Sequence, residues 1–148
     1  MEKQVEKIDS VRRILTGLIS RIDETEAKAR SREWPNASLS GIVRAYVVQQ
    51  TAIARGLVST IAAQLGFQGP GMICKPLEGS TVCCFIGTTM MLAQTSGVSP
   101  DEAQEATFAS ANQLKNQVAE IVRHVEAVVE GEETVEGVKL NHGPLHYK

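Results

Sequence analysis

Sixty-seven consecutive residues, 34–100, carry only four charged side chains: Arg44, Arg55, Lys75 and Glu78. Both flanks are densely charged. Residues 1–33 hold eight basic and seven acidic side chains, and residues 101–148 hold four basic and nine acidic. An element that is almost uncharged all round needs cover on more than one side. The middle of this chain is therefore the centre of a bundle, a subunit interface or a membrane segment. The membrane option has the least support. Its best stretch, 79–100, is broken repeatedly by Ser, Thr, Gln and Gly, whereas a spanning helix needs about 20 continuous apolar residues.

At 148 residues and 43% hydrophobic content the chain has material for one core. A net charge of −2 argues against a grip on nucleic acid or an anionic membrane, and 4% aromatics against a base-stacking platform. The start of the chain, Met1-Glu2-Lys3-Gln4-Val5-Glu6-Lys7, shows no apolar signal core, so a cytoplasmic location is expected. Cys74, Cys83 and Cys84 form no disulfide framework. They read as reduced, buried, inert thiols.

Periodicity predicts four helices. In the first, about Glu2–Arg32, Ile8, Val11, Leu15, Leu18 and Ile22 repeat at 3-4-3-4 spacing, widened by Val5, Ile14 and Ile19. Trp34-Pro35-Asn36 breaks it, and Asn36, Ser38 or Ser40 caps the next. In the second, about Ser38–Leu65, a helical wheel places Ser40, Arg44, Thr51, Arg55 and Ser59 in one quadrant, read as the solvent stripe. Residues 66–80 hold four glycines and two prolines and form a long structured loop.

The third helix, about Thr81–Thr95, follows a Gly79-Ser80 capping signal. Val82, Phe85, Ile86, Thr89 and Ala93 make one face, and Cys84, Thr88, Met91 and Thr95 the other. Neither face is charged, so both are expected against protein. Gly97 ends it. Ser99-Pro100-Asp101-Glu102 is a capping box with proline at N1. The fourth helix runs to about Glu130, with a seam of Ala103, Thr107, Ser110, Leu114, Val118, Ile121, Val125 and Val128. Gly131 stops it. Residues 134–140 alternate briefly, as an extended arm or edge strand would.

The expected fold is all-α: an up-and-down four-helix bundle over 1–130, with a long Gly/Pro loop between helices 2 and 3 and an extended C-terminal tail over 131–148. The uncharged middle is hard to bury within one such bundle, so a homodimer is expected.

Chemical motifs are sparse. No Glu-x-x-His repeat, covalent haem motif or phosphate-binding glycine loop is present, so neither metal nor cofactor is expected. His142 and His146 are separated by Gly143-Pro144, which prevents a helical ligand pair. The polar groups that stand out are Tyr46, Gln50 and Gln64, on the apolar side of helix 2. With Phe67 and Met72 of the loop, and His124 of helix 4, they make a candidate ligand-binding set. On helix 4, Gln113, Gln117, Glu120 and His124 form a polar edge. Three functional classes follow. The first is a non-catalytic homodimeric interaction or adaptor protein. The second is a small-molecule binder whose apolar pocket is lined by helix 2 and the 66–80 loop. The third is a small enzyme using His124 or a cysteine.

Overall fold

A computed structural model describes residues 2–67, 73–132 and 135. They form an all-α four-helix bundle of α1 (Glu2–Ser31), α2 (Ala37–Gln64), α3 (Gly79–Ser96) and α4 (Pro100–Val129). Three of these are long. At about 1.5 Å per residue, α1 and α4 each extend roughly 45 Å.

Each boundary has a local cause. The Asn36 side chain accepts from the Leu39 amide at 2.7 Å and so caps α2. At the other end Gly66 adopts a left-handed φ of 89°. The Phe67 amide then reaches the Ala62 carbonyl at 2.7 Å and the Gly66 amide the Ala63 carbonyl at 3.4 Å, which is a Schellman closure. α4 closes the same way: Gly131 has φ 82°, and the Glu132 amide donates to the Ala127 carbonyl at 2.8 Å. Ser99 caps α4, accepting from the Glu102 amide at 3.2 Å, with Pro100 at the helix start. Gly97 ends α3 with φ 71°. α3 starts at the expected Gly79-Ser80 cap rather than after it. Glu78 is the capping residue, and its side chain makes no cap hydrogen bond.

Contacts between helices fix their directions. Arg44 of α2 meets Arg30 of α1 and Arg55 meets Asp23, so these two helices are antiparallel. Gln64 meets Ser110, and Tyr46 meets His124, so α2 and α4 are antiparallel as well. Gln4 meets Gln104 and Lys28 meets Glu130, so α1 and α4 run the same way. The shorter α3 carries the chain between the ends of α2 and α4, and the chain turns through 112° from α3 into α4. Here Phe85 of α3 packs on Phe108 of α4, with ring centroids 4.7 Å apart.

The core has two halves. The lower one joins Ile8–Ile22 of α1, Ala54–Leu65 of α2, Phe67, Ile73, Phe85 and the Phe108–Val122 face of α4. The upper one joins Ala29, Leu39, Val43, Tyr46, Val47, Val125, Val128, Val129 and Val135. Each fully buried Val, Leu or Ile contributes about 1.5–3 kcal/mol of apolar transfer. Between the halves sit two buried threonines, Thr25 and Thr51. Each returns its hydroxyl to the carbonyl four residues back, at 2.7 Å in both cases, and Thr51 also faces Glu26 of α1 at 3.2 Å.

Several expectations about faces are corrected. The stripe of α2 read as solvent-facing turns towards α1: Thr51 is buried, Arg55 is spent on Asp23 and Glu26, and Arg44 donates to the Arg30 carbonyl at 3.2 Å. The exposed face lies about a quarter-turn away. On α4, Phe108, Ala111, Val122 and Val129 are buried, whereas Thr107, Ser110, Leu114 and Ile121 of the expected seam are only half-buried. That helix meets all three others, so its dry arc is wider than one seam. Val5 and Ile14 of α1 stay exposed. The Val135 side chain is buried in the upper core, so the fold continues past residue 130. The rest of the 134–140 alternation, with His142 and His146, lies outside the described residues. Among the described residues no single helix is long and apolar enough to cross a membrane.

Candidate functional site

Of the six residues singled out from the sequence, the structure joins two directly. Tyr46, on α2, shares a hydrogen bond between its hydroxyl and Nδ1 of His124, on α4. The rings meet edge-to-face, with centroids 5.8 Å apart and planes at 81°. The phenol is buried and the imidazole half-buried. With the imidazole proton on Nε2 the phenol donates; with a proton on Nδ1 the ring donates to the phenol oxygen. The bond is therefore compatible with either ring tautomer. It bridges the upper core beside Leu39, Val43 and Val125. Glu120, the expected neighbour of His124 along the helix, is taken by Arg123 at 2.7 Å.

Gln64 stands 18 positions further along α2 than Tyr46, about 27 Å at helical rise. Its Nε2 donates to the Ser110 hydroxyl at 3.0 Å, while its Oε1 is buried without a partner among the described residues. Phe67 is buried in the lower core, where its amide completes the α2 closure. Gln50 is half-buried on α2. Met72 lies outside the described residues. Tyr46 with His124, and Gln64 with Phe67, thus occupy opposite ends of the molecule.

The thiols are not buried as expected. Cys74, Cys83 and Cys84 are all free and exposed. Among the described residues no group of three His, Cys, Asp or Glu side chains is placed to hold a metal ion.

Two polar clamps went unnoticed in the sequence. At one end, Arg12 binds Asp9 through Nε at 2.9 Å and Nη2 at 2.7 Å, and Thr16 donates to the Ile73 carbonyl at 3.1 Å. The chain after α2 is thereby tied back to α1. The Arg12 hydrogen bond holds the Asp9 carboxyl below its ordinary range against the opposing effect of burial, and Arg13 adds to it. At the other end, Arg32 lies over the Trp34 ring, 4.3 Å from its centroid, and donates to the Val129 carbonyl at the end of α4. A cation there faces the negative end of the helix dipole. The only sequence signal for these clamps was the excess of arginine in α1 over its neighbours.

The most extensive feature is on the outside. Gly41, Ala45, Val48, Gln49, Ala52, Ile53, Gly56, Thr60 and Ala63 form an exposed arc of α2 without charge, and the exposed Arg44 lies at its edge. On α3, burial of Val82, Phe85, Thr89 and Ala93 agrees with the expected inner face. The other face, Cys84, Thr88, Met91 and Thr95, is exposed, together with Met90 and Leu92. Val48 is 66% exposed and Met91 68%. The two surfaces approach one another where Gly66, at the foot of α2, sits against Thr81, Cys84 and Phe85.

No protein-family model, curated protein or solved structure matches the chain.

Proposed function

We propose that this protein is a non-catalytic helical interaction protein that works as a homodimer, paired through the outer faces of α2 and α3. One observation carries the reading: α2 presents an arc of small and apolar residues with Val48 and Ile53 exposed, and α3 presents an uncharged outer face with Met90, Met91 and Leu92 exposed. Exposed apolar residues scattered singly need no explanation, but a cluster such as Met90, Met91 and Leu92 on one uncharged helix marks a contact surface. Arg55 is paired with Asp23 and Glu26 of α1, which leaves the exposed Arg44, donating to the Arg30 carbonyl, as the one cation of α2 at the edge of this face. A second copy presents the same uncharged face, and closed two-fold pairing is the commonest arrangement of soluble oligomers. A cytoplasmic setting fits three free exposed thiols.

Sedimentation or native mass spectrometry of the full chain is the test. A dimer is expected, and Val48→Glu or Met91→Glu should shift it to monomer by placing an unpaired charge in the contact. Helix content should be unchanged, since both side chains are exposed in the single chain. A wild-type monomer at about 100 μM, well above the Kd of an ordinary specific dimer, would overturn the reading.

A further inference from the structure

The parallel α1–α4 interface differs sharply between its two ends. Towards the C-terminal ends it is zipped by ion pairs: Arg21 Nε reaches Glu126 at 3.0 Å and Lys28 reaches Glu130 at 3.2 Å. Towards the N-terminal ends the same two helices again bring unlike charges face to face, Lys3 and Lys7 on α1 against Asp101 and Glu105 on α4. Here the charges do not meet. All four line an open cleft of about 270 Å³, and none forms an ion pair among the described residues. The floor is amide and aromatic. Gln4 Nε2 donates to Gln104 Oε1 at 2.9 Å across the helices, and the Lys7 ammonium stands 5.2 Å from the centroid of the Phe108 ring. Gln4 Oε1 is buried with no partner among the described residues, an unmade acceptor of the kind that folded proteins rarely leave.

We propose that this cleft binds a small zwitterion of the size of a free α-amino acid. A cationic wall facing an anionic wall selects an occupant that carries both charges. A carboxylate held by Lys3 and Lys7 alone would leave Asp101 and Glu105 unanswered, and a lone ammonium would do the reverse. An α-amino acid answers both. The volume, about 270 Å³, lies just below the roughly 300–1,000 Å³ of drug-sized ligand sites and suits a molecule of this size. Phe108 supplies an apolar flank for a side chain. The site shares no residue with the α2–α3 contact surface, so it stands or falls separately from the dimer.

The test is a nitrogen-15 NMR titration of the full chain with glycine, leucine, glutamine and phenylalanine in turn, with acetate and methylammonium as half-ligand controls. At least one amino acid should saturate, with shifts confined to residues 2–8 and 100–108. Lys7→Gln and Glu105→Gln should each weaken that binding by about tenfold or more. The half-ligands should not saturate. Absence of saturation by all four amino acids up to about 10 mM, weaker than any useful small-molecule affinity, would overturn the proposal. So would acetate or methylammonium producing the same shifts at the same concentrations. The unliganded protein offers a second check. If Lys7 and Glu105 stand apart, their effects on the denaturation midpoint should add. Non-additive effects would mean that the pair already closes in solution, leaving no room for the ligand.

Discussion

Three glycines show how differently the same amino acid is used in this fold. Gly66 has a left-handed backbone, and a Cβ there would lie 2.7 Å from the Thr81 carbonyl oxygen and 3.1 Å from the Phe85 nitrogen. Both contacts are backbone and cannot swing away. Gly66→Ala should destabilise the protein by about 1–3 kcal/mol in urea denaturation. Gly41 and Gly56 lie in regular helix with nothing within 4 Å of an added Cβ. Alanine at either should leave the monomer as stable or raise it by up to about 1 kcal/mol. Asp9 makes a pH-dependent prediction. Its folded pKa is lowered by Arg12 and then Arg13, so its contribution is complete above the unfolded value of about 3.9 and is lost as pH falls through the lower folded one. Asp9→Asn should therefore destabilise the protein at pH 7, and the difference from wild type should shrink towards about pH 2, read as urea midpoints. A difference that stayed constant with pH would assign Asp9 a packing role instead.

At the scale of elements, most boundaries were legible and most faces only partly so. The observed ends of all four helices fall within two residues of those read from periodicity and capping. Caps and terminators are local chemistry, which a single sequence displays. Ser99→Ala and Asn36→Ala should each cost about 1 kcal/mol, because each removes the side chain that accepts a first-turn amide. The face of α2 was misread for a non-local reason. A wheel shows that Arg44, Thr51 and Arg55 share a side, but not that Glu26, Asp23 and the end of α1 lie opposite to receive them. α1 was read well, with Ile8, Val11, Leu15, Leu18 and Ile22 all buried, because its mixed charges leave one dry stripe. The Tyr46–His124 bond joins positions 78 apart, and no local pattern announces such a pairing.

On the scale of the whole molecule, the arrangement divides labour between charged and uncharged helices. α1 and α4 hold most of the charge and pair with each other, and α1 also takes both arginines of α2. That leaves α2 and α3 with uncharged outer faces, and the dimer proposed above follows from this separation. The upper core depends on a residue beyond the last helix. Val135 is fully buried against side chains of α1, α2 and α4. Val135→Asp should cost several kcal/mol, since it buries a charge among valines and a tyrosine. Ending the chain at residue 132 should lower the thermal midpoint while leaving the lower half protected in hydrogen exchange, because that half is complete without Val135.

The position of Val135 also has a consequence during synthesis. Leu39, Val43 and Val47 are made about 90 residues before the valine that closes over them. At about 5–20 residues per second, the upper cluster waits roughly 5–18 s for its last wall while the ribosome finishes the helices in between. For that interval the nascent chain displays apolar surface that the finished fold never shows, and a chaperone meeting it then would bind a part of the protein no later partner can reach.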